Sequence, residues 1–272
     1  MTRAVLPTMV WLLVLGSARV AVAEKAPVVR ATLSYETGPA YIAQNDGDYG
    51  ADGSRYRAAD VGQQDNLVLS RRTSLELARG RHRAILLYAP FEAVTEVSLS
   101  RDLQFRDTLF LAGTPVQHRY LFDGYRGSYL YTLVEGGALT LEVGGSLQVR
   151  NAEVAFRALD GTQRAAQADI GLVAAAKARL WYRPGADTWW GALDADGFST
   201  FGLVPGVRGA IYDVQLLAGH PVARGIDVVF GVRLLGGGAA VASQDIYNWA
   251  NFIAVTAGVR VSIDGLLGAA AR

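Results

Sequence analysis

Acid–base chemistry in this chain could be carried by three histidines and a scatter of carboxylates. Asp194 and Asp196 stand two residues apart, so on an extended strand their carboxylates share one face. With His118 they could orient an imidazole as general base for attack by water. His82 and His220 fall in turn-like sequence, beside Arg79-Gly80-Arg81 and within Gly219-His220-Pro221, where solvated turn residues are expected. A Ser–His hydrolase would need a serine beside His118 in space, and no hydrolase motif supplies one. The acidic, Gly-rich stretch at 45–53 offers oxygen ligands for a divalent cation but has no Glu at the closing position of a calcium loop, so a solvated, mobile loop is expected. No metal site, cofactor or catalytic residue is therefore expected.

These residues sit on a strong two-residue rhythm. In 168–182 the apolar series Ala168, Ile170, Leu172, Ala174, Ala176, Ala178, Leu180 and Tyr182 alternates with a face holding Asp169, Lys177 and Arg179. Successive strand side chains point to opposite faces, so this reads as a strand with one greasy and one polar side. The rhythm predicts about ten strands, with eight to twelve compatible, in an all-β antiparallel up-and-down barrel. They fall near 28–36, 67–78, 83–97, 116–134, 139–150, 168–182, 188–196, 207–217, 226–235 and 252–263. Short connections at 79–81, 135–137, 184–187 and 219–224 alternate with long ones at 37–66, 98–115, 158–166, 197–206 and 236–250.

The ends add a location. Residues 1–23 read as a signal peptide, with Arg3, an apolar run and Ala21-Val22-Ala23 before a mature start at Glu24. The barrel is expected over 24–263, followed by a tail at 264–272. There is no Cys among the 272 residues, so disulfides play no part. The formal net charge of +1 argues against nucleic acid as a partner.

Alternation alone leaves two arrangements, a soluble barrel with the apolar face inside or a membrane barrel with it outside. Strand length, loop asymmetry and aromatic placement favour the second. Tyr129, Tyr131, Trp181, Tyr182, Trp189 and Trp190 cluster near short turns, where an interfacial girdle is expected. A lipid-facing Arg or Lys at mid-membrane costs roughly 2–4 kcal/mol, so the charged face must be the lumen. The interior then receives Arg72, Arg126, Arg150, Lys177, Arg179, Arg233 and Arg260 together with Glu36, Glu76, Glu142, Asp169, Asp194, Asp196, Asp213 and Asp227. Seven bases against eight acids predict an ion-pair lattice filling a narrow barrel, and a selective pore would show a ring of one sign.

An exported chain with alternating strands, short inner turns and long outer loops resembles the small Gram-negative outer-membrane barrels of the outer membrane protein A, X and W type. The resemblance spans most of 24–263, is one of architecture, and carries no functional residues across. It implies the cell outer membrane, contact with outer-membrane lipid and lipopolysaccharide, insertion by the barrel-assembly machinery, a monomer, and a structural or narrow-conduit role without catalysis. The last strand ends near Ile263 and not at an aromatic terminal residue, a departure from that family. Two alternatives stand beside it. One is an outer-membrane enzyme acting on lipid A or peptides, since the Asp pair and His118 are of the types used by the ten-stranded omptin proteases, although that family's local motifs are absent. The other is a secreted lipocalin-like carrier.

Overall fold

A computed structural model describes residues 29–263. The expected signal peptide at 1–23, the start at Glu24 and the tail at 264–272 lie outside the described residues. In chain order the strands are β1 (Arg30–Tyr49), β2 (Leu67–Arg79), β3 (His82–Ser98), β4 (Leu103–Phe105), β5 (Thr108–Phe110), β6 (Pro115–Gly136), β7 (Leu139–Ala158), β8 (Arg164–Tyr182), β9 (Trp190–Ser199), β10 (Val207–Ala223), β11 (Ile226–Val241) and β12 (Ile246–Ser262). Ten of them close into an antiparallel up-and-down barrel, and β4 and β5 form a small separate hairpin. Closure is between β1 and β12, from Thr32 opposite Ser262 to Tyr49 opposite Ile246. At the short-turn end, Gly80 and Gly137 hold φ of 56° and 57° in tight connections, which a side chain would strain.

The barrel has two storeys. In the lower one, next to the short turns, outward residues are apolar and inward residues are charged. On β12, Ile253, Val255, Ala257 and Val259 face out, while Thr256 and Arg260 face in. On β7, Leu141, Val143, Leu147 and Val149 face out against Glu142, Ser146, Gln148 and Arg150. Higher on the same strands the polarity inverts. Asn151, Glu153 and Arg157 of β7 point outward, and Val154 and Phe156 point in. On β6, Gln117 and Arg119 point outward above inward-facing Val116, His118, Tyr120 and Phe122. On β1 a bulge between Ile42 and Gln44 shifts the register, so that Asn45 and Tyr49 face in while Gln44, Asp46 and Asp48 face out.

This inversion corrects the expected loops. The segments 37–49, 236–241 and 246–250, read from sequence as loop, are strand. The connections at 159–163 and 242–245 are short. A hydrated outer face carrying polar residues resembles a loop when only one apolar phase is followed. The stretch at 45–53 is likewise no mobile loop in its first part: Asn45 and Tyr49 are buried residues of β1, and Gly47 pairs with Tyr56.

Arg71 breaks the rule of the lower storey. It faces outward on β2 with Leu67 and Leu69 above it and Leu75 and Leu77 below.

Candidate functional site

The lower lumen is filled by two sets of linked side chains, a large one and a smaller one around Glu36. Arg126 of β6 donates to Asp196 and Asp213, both at 2.9 Å, and to Gln148 at 3.1 Å. Arg233 makes a two-pronged contact with Asp213 at 2.7 and 2.9 Å. Lys177 donates to Asp196 at 2.7 Å and also to Asp194, and Ser146 donates to Asp196 at 2.6 Å. Arg179 joins Asp194 at 2.6 Å to Glu76 at 2.9 Å. Arg83 joins Glu76 and Glu142, both at 2.8 Å. Arg260 reaches Glu76 at 3.4 Å. Arg72 contacts Glu36 at 3.4 Å, and Gln215 bridges the two. Every barrel strand supplies at least one charged member. Charges removed from water need such partners, because an unpaired buried ion costs several kcal/mol, on the order of the stability of a small domain.

Eleven of the twelve residues assigned to the lattice from sequence lie in these two sets, Arg72 in the smaller one, and Arg150 lies in neither. It faces inward on β7 with its guanidinium 5.0 Å from the Phe122 ring. Among the described residues it has no carboxylate within ion-pair distance. Asp169 lies outside the network too, hydrogen-bonded to Gln167, and Asp227 sits lower, with Trp190 and Arg183. Sequence reasoning missed Arg83, whose inward neighbours Ile85 and Leu87 on β3 are apolar and hide the polar face. It also missed Gln148 and Gln215, neutral links that carry no charge signal.

The aromatic girdle divides. Tyr129, Tyr131, Tyr182 and Trp189 lie on the outer side near the short turns, with Tyr129 hydroxyl 2.6 Å from His82 Nδ1. Trp189 stacks on His220, which belongs to β10 and not to a turn. Trp181 and Trp190 instead face the lumen. Trp181 donates to Glu142 at 3.3 Å and Trp190 to Asp227 at 3.0 Å, and Arg260 lies over both rings. The parity that places Lys177 and Arg179 inside places Trp181 inside as well.

Above the lattice the lumen is closed a second time. Tyr56 and Val61 from the β1–β2 connection, and Phe105 and Phe110 from the β4–β5 hairpin, pack inward against Val116, Tyr120, Phe156 and Phe252. His118 is wholly buried in this plug, 4.6 Å from the Phe156 ring and 5.6 Å from Tyr56. Both of its ring nitrogens lack a hydrogen-bond partner among the described residues. Burial holds its pKa down to about 3. Asp194 and Asp196 are engaged by Arg126, Lys177 and Arg179 in the storey below. The structure does not join His118 to the aspartate pair. Among the described residues no group of three or more His, Cys, Asp or Glu side chains is arranged to hold a metal ion.

Below the lattice the barrel opens into a vestibule of about 840 Å³, lined by Arg30, Arg83, Arg183, Arg260, Glu135 and Trp181 among others.

A closed ten-stranded up-and-down barrel with an apolar outer belt and a charged lumen is the architecture of the small outer-membrane β-barrels. Among solved structures the chain is similar to the outer membrane protease OmpT of Escherichia coli, at 10% identity over 86% of this chain and 97% of that one, with a TM-score of 0.46. It is similar to Ail, the attachment invasion locus protein of Yersinia pestis, at 12% identity over 85% and 98%, TM-score 0.39. It is also similar to the P. putida toluene transporter TodX, at 8% identity over 85% and 90%, TM-score 0.33. These are likenesses of fold alone. No protein-family model matches the sequence. No curated protein matches it.

Proposed function

We propose that this chain is a non-conducting outer-membrane barrel whose lower storey anchors a rigid, plugged upper storey outside the bilayer. The observation that carries this reading is the pair of closures in series, a salt-bridge lattice across all ten strands and an aromatic plug above it. A conduit needs a continuous wet path, and neither layer provides one. The role is structural or adhesive and not catalytic, with the hydrated outer faces of β3, β6 and β7 available to lipopolysaccharide or an external partner. The protein acts as a monomer and reaches the membrane through the barrel-assembly machinery.

Envelope fractionation, a denaturing gel with and without boiling, and planar-bilayer recording test the reading together. The expected result is an outer-membrane band that shifts on heating and gives no stepwise conductance. Regular conductance steps would overturn the sealed lumen, and a soluble chain without a heat shift would turn the account toward the carrier. If His118→Ala altered lipid A or peptide processing, the non-catalytic reading would fall.

A further inference from the structure

Two barrel strands are shorter than their neighbours, β2 and β9, and the wall above each is treated differently. Above β2 the β1–β2 connection fills the gap, with Thr95 Oγ1 donating to Val61 O at 2.6 Å. Above β9 nothing among the described residues does so. β8 pairs with β9 only from Tyr182 to Ala176, and its upper stretch to Arg164 has β7 alone as a partner. β10 pairs with β9 only up to Ala210. A lateral mouth therefore lies between upper β8 and the top of β10, floored by the end of β9. Residues 168–172 of β8 are exposed on both faces, which a closed wall would prevent. An open sheet edge is tolerated at membrane depth only where it borders a wet cavity.

The mouth has an apolar rim, and the cleft inside it holds one cation, Arg150, that has no carboxylate partner among the described residues. Ile170 is 79% exposed and Leu172 65%, and in the β9–β10 connection Phe201 and Leu203 are 79% and 81% exposed. Inside is a cleft bordered by Ala175 and Ile211, backed by Phe122 and Phe252, and lined by Arg150 and by Arg126, Asp196 and Asp213, whose charges are paired with one another. Arg150 is the last inward charge of β7 before the polarity inverts. The seven inward bases of the two lattice sets, Arg83 among them, are ion-paired; Arg150 is not, and neither is Arg30, which is exposed at the vestibule. Its cross-strand neighbours are both glycines, Gly124 on β6 and Gly171 on β8. A Cβ at Gly171 would meet nothing within 4 Å, so space is left beside the guanidinium.

We propose that this mouth binds a single-chain fatty carboxylate, with the head group on Arg150 and the hydrocarbon along the Ile170, Leu172 and Phe201 rim. The enclosed part of the cleft is about 30 Å³, enough for a head group and not for a chain. The planar guanidinium matches a carboxylate in a two-pronged pair, and the rim offers apolar surface to one chain. The membrane reading supplies only the source of the ligand, and binding by the solubilised protein is read independently of location.

The test uses the full chain in a non-ionic detergent and 11-(dansylamino)undecanoate as the fluorescent probe. Saturable binding is expected, reversed by dodecanoate and not by dodecanol. Arg150→Gln should weaken binding at least tenfold, and Gly171→Trp, which fills the mouth without touching the lattice, should abolish it. The heat shift of both variants on a gel reports that they fold. Folded variants that bind like the parent, or displacement by dodecanol as strong as by dodecanoate, would overturn the proposal. Equal displacement by dodecyl phosphate would overturn the carboxylate assignment.

Discussion

Arg126 and His118 stand on the same inward face of β6, eight residues apart, and meet opposite surroundings. Arg126 is held by two aspartates and a glutamine, whereas His118 is enclosed by aromatic rings with neither nitrogen bonded. On the proposed reading, one strand thus passes from a barrel built for lipid to one built for water. The lower storey hides its charges and shows its hydrocarbon, and the upper storey does the reverse.

Asp213 receives both Arg126 and Arg233, so Asp213→Ala strands the buried Arg233 and takes from Arg126 one of its two carboxylates. A loss of about 3–5 kcal/mol is expected, as for other broken buried pairs. The temperature at which the folded gel band converts to the unfolded one should fall markedly. An unchanged transition would mean that the lattice is wet and screened.

Arg71 projects from the apolar belt, where a lipid-facing Arg is unfavourable by roughly 2–4 kcal/mol at mid-membrane and by about 0–1 near the interface. Arg71→Leu is therefore expected to raise stability in lipid vesicles, measured by denaturant titration. No gain, or a loss, would place Arg71 in the interfacial region or against an anionic head group.

His118 gives the plug a pH dependence of known sign. Its folded pKa is depressed to about 3 from the usual value near 6.5. Above pH 6.5 it is neutral whether folded or unfolded and contributes nothing. As pH falls from 6.5 toward 3 the unfolded chain takes up a proton that the plug refuses, so stability falls by a few kcal/mol at about 1.4 kcal/mol per pH unit. His118→Phe should flatten this part of the stability curve, and an unaltered slope would show that His118 is hydrated.

Gly219 lies opposite Trp190, and a Cβ there would come within 2.1 Å of the indole ring. Gly219→Ala should push the ring away and weaken its 3.0 Å bond to Asp227. A loss of about 1–3 kcal/mol is expected, with a red shift in tryptophan emission. Unaltered emission would mean that the strands part without moving the ring.

The lower storey was legible in the sequence because its rhythm is a local consequence of lipid outside and paired charge inside. Lys177, Arg179, Asp194 and Asp196 follow from parity alone. Trp181 and Trp190 were assigned to the girdle from residue type, although parity places Trp181 beside Arg179. The upper storey was obscured because its outward residues are polar, so Gln44, Asp46 and Asp48 of β1 read as loop while Asn45 and Tyr49 continue the inward phase. The plug was not legible, since the packing of Tyr56 and Phe105 on Phe156 joins distant segments. The lateral mouth depends on the length of β9 relative to β8, which no local pattern encodes.

Thiol labelling in intact cells tests the two-storey barrel most directly, and the absence of native Cys makes it clean. Single cysteines at outward Leu147, Leu234 and Val255 in the lower storey and at outward Asp46, Glu96 and Glu153 in the upper one would be exposed to a membrane-impermeant maleimide. The account predicts labelling of the upper set and protection of the lower set until detergent is added. Equal labelling of both sets without detergent would contradict it.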